Sequence, residues 1–479
     1  MMLLKLNDAR THGPAATCGN TYLAANGSSW HRPAQAAMGR CGRPQAGTGA
    51  HRRAQRGSFS GPVAPGSGAG RFEAGAQPGG LHLRRSGVAV TLLRVSISSE
   101  TRSQMISKSH RKRNSFAARR SRALRQAGAQ AGVDVLLVSQ RQDVSYLTGF
   151  SGEDSYVALH GGGACLITDG RFDEQAGREC GRIDIHVRTG AMSAAVAEVV
   201  RPWRRGKMTV GVQGDHMTIV GREQLAKALR CVRLVSVSGV LRQLRLVKDD
   251  SEVRAIRKAV GVAERAMREL LAQGAGAFVG RSERQVAAEL EYRMRLAGAD
   301  GPAFDTIVAA GANGSLPHYR PAGATIRRGQ GVLIDWGALV GGYVSDLTRV
   351  VLVGKIPPKL AKVYEVVLRS QAKAIAAVRP GVGCRSVDAA AREAIARAGY
   401  GSQFVHGLGH GIGREVHESP ALARLAGGRL RKNMVVTIEP GIYLPGIGGI
   451  RIEDDVLVTT SGAKRLGTLP RSPAAMTVR

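Results

Sequence analysis

The run Gly331-Val-Leu-Ile-Asp335-Trp-Gly-Ala-Leu-Val340-Gly341-Gly342-Tyr-Val-Ser-Asp346-Leu-Thr-Arg349-Val-Val-Leu-Val353 holds two apolar, β-branched segments on either side of a Gly-Gly pair. That is the composition of a β-hairpin. The midpoint of 335 and 346 falls at the Val340–Gly341 bond. A symmetric hairpin therefore sets Asp335 opposite Asp346, with Cβ atoms about 4.5–5.5 Å apart. Facing carboxylates on apolar strands repel unless a cation or a shared proton lies between them, and hard divalent metals choose carboxylate oxygen.

The pattern recurs downstream in Val435-Val-Thr-Ile-Glu439-Pro-Gly-Ile-Tyr-Leu-Pro-Gly446-Ile-Gly-Gly-Ile-Arg451-Ile-Glu453-Asp-Asp-Val-Leu-Val458, where Gly446 is the midpoint of Glu439 and Glu453. Pro440 and Pro445 leave this register less defined than the first. Four carboxylates on two hairpins point to a paired-metal site. Between the hairpins lies Phe404-Val-His406-Gly-Leu-Gly-His410-Gly-Ile-Gly-Arg-Glu-Val-His417-Glu-Ser-Pro420. His406 and His410 have the spacing of a helical zinc pair, but no Glu follows His406, and Gly407, Gly409, Gly411 and Gly413 disfavour a helix. Neutral imidazoles among glycines can approach a metal without steric obstruction, so at least one of the three histidines is expected to bind metal.

Together with Ser315-Leu-Pro-His318-Tyr, these pieces occur in an order that resembles the creatinase/methionine-aminopeptidase superfamily of M24-type metallopeptidases, and within it the Xaa-Pro peptidases, aminopeptidase P and prolidase. The resemblance implies an α+β pita-bread fold. It implies that Asp335, Asp346, His410, Glu439 and Glu453 are the ligands of a dinuclear site, with Asp346 and Glu453 bridging. One nitrogen and four carboxylates suit Mn²⁺, with Co²⁺, Zn²⁺ and Fe²⁺ left open. His318, His406, His417, Glu439 and Arg451 are implied as the catalytic set: His417 on the scissile carbonyl or leaving group, Arg451 orienting the site, and Glu439 as general base. The implied reaction is hydrolysis, by a metal-bridging water, of the bond between an N-terminal residue and a following proline. Its substrates are peptides with proline in the second position, and its implied assembly is a homodimer. A methionine aminopeptidase-like peptidase is one alternative, although that branch usually lacks an extra α/β domain and the Arg-Ile-Glu-Asp context. A non-catalytic pita-bread binding module is the other, but such a module has no chemical reason to keep the five ligands.

Upstream, Asp249-Asp-Ser-Glu252 reads as a capping box, followed by Val253, Ile256, Val260, Ala263, Met267 and Leu270 at helical spacing. The catalytic domain is thus expected over 249–469, with 471–479 too short and polar to form an element. Strand signals at 133–139, 157–159, 164–168, 183–187 and 208–212, with helix-like pieces at 171–177 and 192–200, give a smaller α/β domain over 116–247. Its Asp143-Val-Ser-Tyr-Leu-Thr-Gly-Phe150 and Leu166-Ile-Thr-Asp-Gly-Arg-Phe172 resemble the creatinase-like N-terminal domain.

Residues 1–115 are rich in Gly, Ala, Ser, Arg and Pro without a structural period, and are expected to be a disordered basic extension. Among 479 residues, 69 Lys and Arg against 36 Asp and Glu give +33, and residues 1–125 alone hold 21 basic and 3 acidic side chains. Without interleaved aromatics, the run Lys108-Ser-His-Arg-Lys-Arg113 reads as a solvated tail rather than a nucleic-acid site. Arg-rich, acid-poor composition also suits an organelle transit peptide, but Met105 would make an ordinary alternative start, and translated upstream sequence is the simplest account of this arm. A hydrophobic share of 43% excludes uniform disorder, and the length beyond the arm exceeds one typical core. No stretch reaches the roughly 18–20 apolar residues that span a bilayer, and the N-terminus lacks the order of a signal peptide. Six cysteines without close pairing point to reduced thiols in a cytoplasmic setting.

Overall fold

The computed structural model of the protein describes residues 99–181 and 183–479. The expected disordered extension lies, up to residue 98, outside the described residues. A helix Ser99–Ala131 leads into the first domain, so helical structure begins upstream of the expected boundary at 115. Residues 99–127 hold neither Gly nor Pro. Once the turns around buried Arg119 are packed, each further residue adds one hydrogen bond at little nucleation cost.

The N-terminal domain is a six-stranded sheet in the order Asp184–Arg188, Gly163–Asp169, Tyr156–His160, Val135–Val138, Thr209–Gln213, Arg233–Val237. Tyr156–His160 runs antiparallel to both neighbours, and the other pairings are parallel. The apolar run Val135–Val138 is buried throughout because both sheet faces are covered: Leu136 and Val138 enter one core, Val135 and Leu137 the other. The strands and helices expected in this domain are present, each shifted by no more than two residues. The edge strand Arg233–Val237 went unrecognised because its basic and polar positions mask the apolar alternation.

The expected capping box is formed. Asp249 accepts from the backbone N–H groups of Ser251 and Glu252, and the Glu252 carboxylate accepts from Asp249 N, opening the helix Asp250–Leu271. Arg119 donates to Asp249 Oδ2 at 2.6 Å and lies 3.3 Å from Glu252, so the first helix is tied to the start of the second domain.

In that domain a central strand pair, Gly331–Trp336 and Leu347–Val353, lies between two helical layers. Val332, Ile334 and Trp336 pack toward Asp250–Leu271 and Glu283–Leu296. Leu333, on the alternate face, packs toward Pro358–Ala377 and Cys384–Arg397. Asp335 continues the Leu333 face at the end of its strand. A second sheet runs Glu418–Leu422, Gly409–Gly411, Val435–Ile438, Asp454–Val458, Ala463–Arg465, and a ribbon of Gly441–Leu444 with Gly448–Arg451 extends from it. Among the described residues, no helix is long and apolar enough to cross a membrane.

The C-terminus departs from expectation. Thr477–Val478 pairs in parallel with the outer edge of Leu347–Val353, and Met476 and Val478 are buried. An otherwise open edge beside the main core outweighs the polar composition of the tail. Deleting residues 476–479 should lower the unfolding free energy by about 3 kcal/mol, the scale of two buried apolar side chains. Urea denaturation of the truncated chain measures it, and an unchanged midpoint would show that the pairing carries no stability.

Candidate metal centre

The first hairpin turns at Gly341-Gly342, both with positive φ (58° and 76°), so Val340 pairs with Tyr343 and Asp335 with Thr348. The expected facing of Asp335 and Asp346 is therefore corrected by two residues. Both glycines occupy the turn, which moves its centre one residue beyond the midpoint of the aspartates. An even shift preserves the face, leaving the two carboxylates as diagonal rather than direct neighbours. The second hairpin keeps one register throughout. Ile438 pairs with Asp454 and Gly441 with Arg451, which sets Glu439 and Glu453 opposite each other at the break between the two ladders. Pro440, which has no N–H to give, sits at that break, and Pro445 lies in the turn.

His410 lies on the strand Gly409–Gly411, not on a helix. Its glycines serve close strand packing: a Cβ at Gly409 would lie 2.2 Å from Thr437 O, and one at Gly411 2.0 Å from Ser419 O. The pairing with Glu418–Leu422 slips between His410 and Gly411, a local irregularity of the kind that re-aims side chains.

All nine residues singled out in the sequence line one cavity of about 570 Å³. His410 Nε2 lies 3.3 Å from Glu439 Oε1 and 3.7 Å from Asp346 Oδ2. Asp346, His410 and Glu453 each bring a ligand atom within 4.8 Å of the others. His410 Nδ1 is 3.0 Å from Gly411 O. A carbonyl only accepts, so Nδ1 carries a proton; Nε2 faces carboxylate oxygens, donating to Glu439 when the ring is charged and offering a lone pair to a cation when it is neutral. Asp335 Oδ1 and Glu453 Oε1 are buried without a hydrogen-bond partner among the described residues.

Electrostatics reports the same deficit of positive charge. Burial, then the neighbouring Glu453 and Asp335, push Asp346 well above the usual carboxylate range. Burial, then Glu439 and Asp335, do the same to Glu453. Burial also raises Asp335, against the pull of Arg451. Burial works against the Glu439 carboxylate too, but its hydrogen bond with His410 holds it at about 2. Burial opposes the charge on His410, but its hydrogen bond with Glu439, the Glu439 charge and the bond to Gly411 O together raise it. A set of one imidazole and four carboxylates with unpartnered oxygens fits divalent cations.

Arg451 is buried and donates to Asp335 Oδ2 (2.5 Å), Thr348 Oγ1 (3.0 Å), Tyr443 Oη (2.8 Å) and Pro317 O (3.2 Å). His406 Nδ1 lies 2.7 Å from Gly407 O, so it carries the proton, and Nε2 accepts from Tyr443 Oη at 2.9 Å. Burial, then His410, lower His417, whose ring stands 4.5 Å from that of His410. His318 and His417 are exposed in the wall.

Several residues here escaped the sequence reading. Thr348 donates to Glu453 Oε2 at 2.6 Å while accepting from Arg451. Thr437 donates to Glu439 Oε1 at 3.1 Å and accepts from His410 N. Asp455 is fully buried, pushed up to about 8 by burial, and accepts from Asp346 N at 3.1 Å. Thr348 and Asp455 lie two residues beyond Asp346 and Glu453 on the same strand faces, a period-2 signal that could have found them.

A carboxylate-rich cavity of this kind in a two-domain α+β chain is that of a metallohydrolase, and the comparisons identify which. Residues 254–460 match Metallopeptidase family M24, and residues 120–247 match the Creatinase/Prolidase N-terminal domain. An uncharacterized peptidase, YqhT of Bacillus subtilis, is 38% identical over 350 residues, 73% of this chain and 97% of that protein. A Xaa-Pro dipeptidase of Pyrococcus horikoshii is 44% identical over 244 residues, 51% of this chain and 69% of that protein. The solved structure of a Xaa-Pro dipeptidase from Bacillus anthracis superposes with a TM-score of 0.71 at 36% identity, covering 74% of this chain and 99% of that one. The chain belongs to metallopeptidase family M24 and is a hydrolase with the pita-bread catalytic domain preceded by the creatinase-type domain.

Carboxylates raised by burial keep their protons to higher pH than free ones when no cation is present, and a cation must displace whatever protons they hold. Adding Mn²⁺ to chelator-treated protein should therefore release protons, with apparent affinity climbing as pH rises. At a free concentration 100 times Kd, Mn²⁺ should add about 2.7 kcal/mol to stability. Calorimetry in two buffers of different ionisation enthalpy, with thermal melting, checks both. Binding that releases no protons would contradict the charge balance described above.

Proposed function

We propose that the chain is a Xaa-Pro peptidase that hydrolyses the bond between an N-terminal residue and a following proline, using two divalent cations. The observation that carries this reading is the convergence of His410 Nε2 and four carboxylates, two with unpartnered buried oxygens, on one cavity. Relatives named Xaa-Pro dipeptidase support the substrate class. Asp335, Asp346, His410, Glu439 and Glu453 would hold the cations, and a hard oxygen-rich set suits Mn²⁺. When bound, the cations supply Lewis acidity that polarises the scissile carbonyl and offsets the negative charge developing on its oxygen.

The chain's own groups supply the proton transfers and the orientation. Glu439 is ionised at neutral pH, and its Oε1 is engaged by Thr437 and His410. Its Oε2 would take a proton from the attacking water and return it to the proline nitrogen as the C–N bond breaks. His417, held neutral, would donate to the scissile carbonyl or to the leaving group from the exposed wall. Arg451 holds Asp335 in place, and through Tyr443 it fixes the ring of His406. The free thiols of Cys165, Cys180, Cys231 and Cys384 fit the cytoplasmic setting, and the homodimer rests on the family resemblance alone.

The test is to strip the purified chain with chelator, restore Mn²⁺, Co²⁺, Zn²⁺ or Fe²⁺, and assay Xaa-Pro, Xaa-Pro-Yaa and Met-Ala-Yaa peptides in parallel. Metal-dependent cleavage before proline is expected. Release of methionine alone would make it a methionine aminopeptidase-like enzyme, and silence with every metal would favour the binding module. Asp346→Ala should abolish turnover with the fold retained. His417→Ala should lower kcat by about 100-fold or more with metal binding kept, the scale of losing a transition-state hydrogen-bond donor.

A further inference from the structure

The proposed cations account for the acids at the floor of the cavity, but not for the charges at its mouth. Asp346 and Glu453 are buried at depth, whereas His318, Arg320 and His417 line the same cavity as exposed side chains. Arg320 has no hydrogen-bond or ion-pair partner among the described residues, and Asp305, an exposed acid in the same lining, makes no ion pair with it. An uncommitted guanidinium facing a substrate cavity presents a planar fork of donors that matches a carboxylate bidentately.

The segment bearing Arg320 is braced on both sides. Pro317 O accepts from Arg451 Nη1 at 3.2 Å, and Arg451 also holds Asp335 at the floor. Tyr319 Oη donates to Glu283 Oε2 at 2.8 Å. Glu283 is fully buried, and its other oxygen accepts from Ala310 N at 2.8 Å and Asn313 Nδ2 at 2.9 Å. Arg320 thus stands three residues from a carbonyl fixed to the floor, no more than about 10 Å of extended chain. Two extended residues span about 7 Å. A dipeptide whose ammonium faces the acids would bring its carboxylate toward the arginine.

We propose that Arg320 recognises the free C-terminal carboxylate of the substrate and makes the enzyme a dipeptidase, an assignment that rests on the Xaa-Pro reading above. Over a floor whose carboxylates are occupied by the cations, the guanidinium of Arg320 is a cation without an ion-pair partner among the described residues, and the substrate carboxylate supplies one. A third residue moves the carboxylate about 3.5 Å further out, and an amide removes its charge.

The test compares metal-loaded wild type, Arg320→Ala and Arg320→Lys on a Xaa-Pro dipeptide, its C-terminal amide and Xaa-Pro-Yaa. Wild type should prefer the free dipeptide. Arg320→Ala should cut the dipeptide-to-amide ratio of kcat/KM by about 10- to 100-fold, through KM more than kcat, the range for a hydrogen bond to a charged group. Arg320→Lys should restore part of it, as a point charge without the fork. Calorimetric binding of L-proline against L-prolinamide needs no turnover and should show the same loss in Arg320→Ala. Wild type indifferent to the free carboxylate, or a ratio unchanged in Arg320→Ala, overturns the assignment and leaves the Xaa-Pro reading standing. If wild type cleaves nothing before proline, that reading fails instead, and proline binding that is equal in wild type and Arg320→Ala overturns the role of Arg320 independently.

Discussion

The structure of the catalytic domain depends on how four carboxylates are held together out of water. Asp335, Asp346, Glu439 and Glu453 face one cavity, where among the described residues one guanidinium and one imidazole, the latter charged only when protonated, make ion-pair contact with them. Like charges at such distances are tolerated only when something positive lies between them, or when some carry protons. The upward shifts of Asp346 and Glu453 are that second solution, and divalent cations are the first. Hairpin geometry makes the arrangement possible. Strands on adjacent ladders deliver acids at fixed heights, and an isolated bridge between Thr348 and Glu453 joins the two hairpins. The helical layers bury the strand faces on either side and leave the acids at the strand ends, where the ladders break.

Much of this was legible because period-2 patterning, turn residues and ligand chemistry coincide in the same short stretches. The acids of the second hairpin fall opposite each other as their midpoint requires, even though one proline interrupts the strand and another sits in the turn. The first hairpin, which looked better defined, differs by two residues because a Gly-Gly pair takes both turn positions and not the geometric centre between two functional residues. Counting from the acids placed the turn one residue early. The face survived and only the depth along the strand changed, which is why both aspartates still line one cavity although their register differs.

What the sequence hides is the division of labour among adjacent acids. Glu453, Asp454 and Asp455 are consecutive, yet alternation sends Glu453 to the cavity and Asp454 to the opposite face, where it meets Arg349 at 2.8 Å, Gln371 at 3.0 Å and Arg465 at 3.2 Å. Asp455 returns to the site side and fixes the backbone of Asp346. Three residues with one charge thus serve as candidate ligand, core ion-pair partner and backbone anchor. Only the identity of what packs on each face separates them, and that is information about other segments. The C-terminal strand was missed for a related reason: its polarity suits a tail, but its value lies in an edge supplied by residues more than a hundred positions earlier.

The N-terminal domain is part of the same electrostatic design. His417 sits beside Glu418, which accepts from the backbone of Arg414 and Glu415 and so shapes the segment that carries the histidine. Burial opposes the charge on Glu418, but Lys248 and Arg245 outweigh it and hold the carboxylate below its usual range. Arg245 is buried, and it also binds Asp143 at 2.8 Å and the carboxylate of Glu415. Asp143 in turn accepts from Gln213 at 2.7 Å. Arg245, Asp143 and Gln213 all come from the N-terminal domain. A buried ion cluster of this type contributes little net stability, because desolvation offsets attraction, but loss of one member leaves the others unpaired at several kcal/mol. Its consequence is therefore geometric: the N-terminal domain adds Arg245 to the contacts that position the segment carrying His417. A catalytic domain alone would keep its acid floor, which its own hairpins build, and lose that contact behind its mouth, where the exposed histidines and Arg320 meet the substrate.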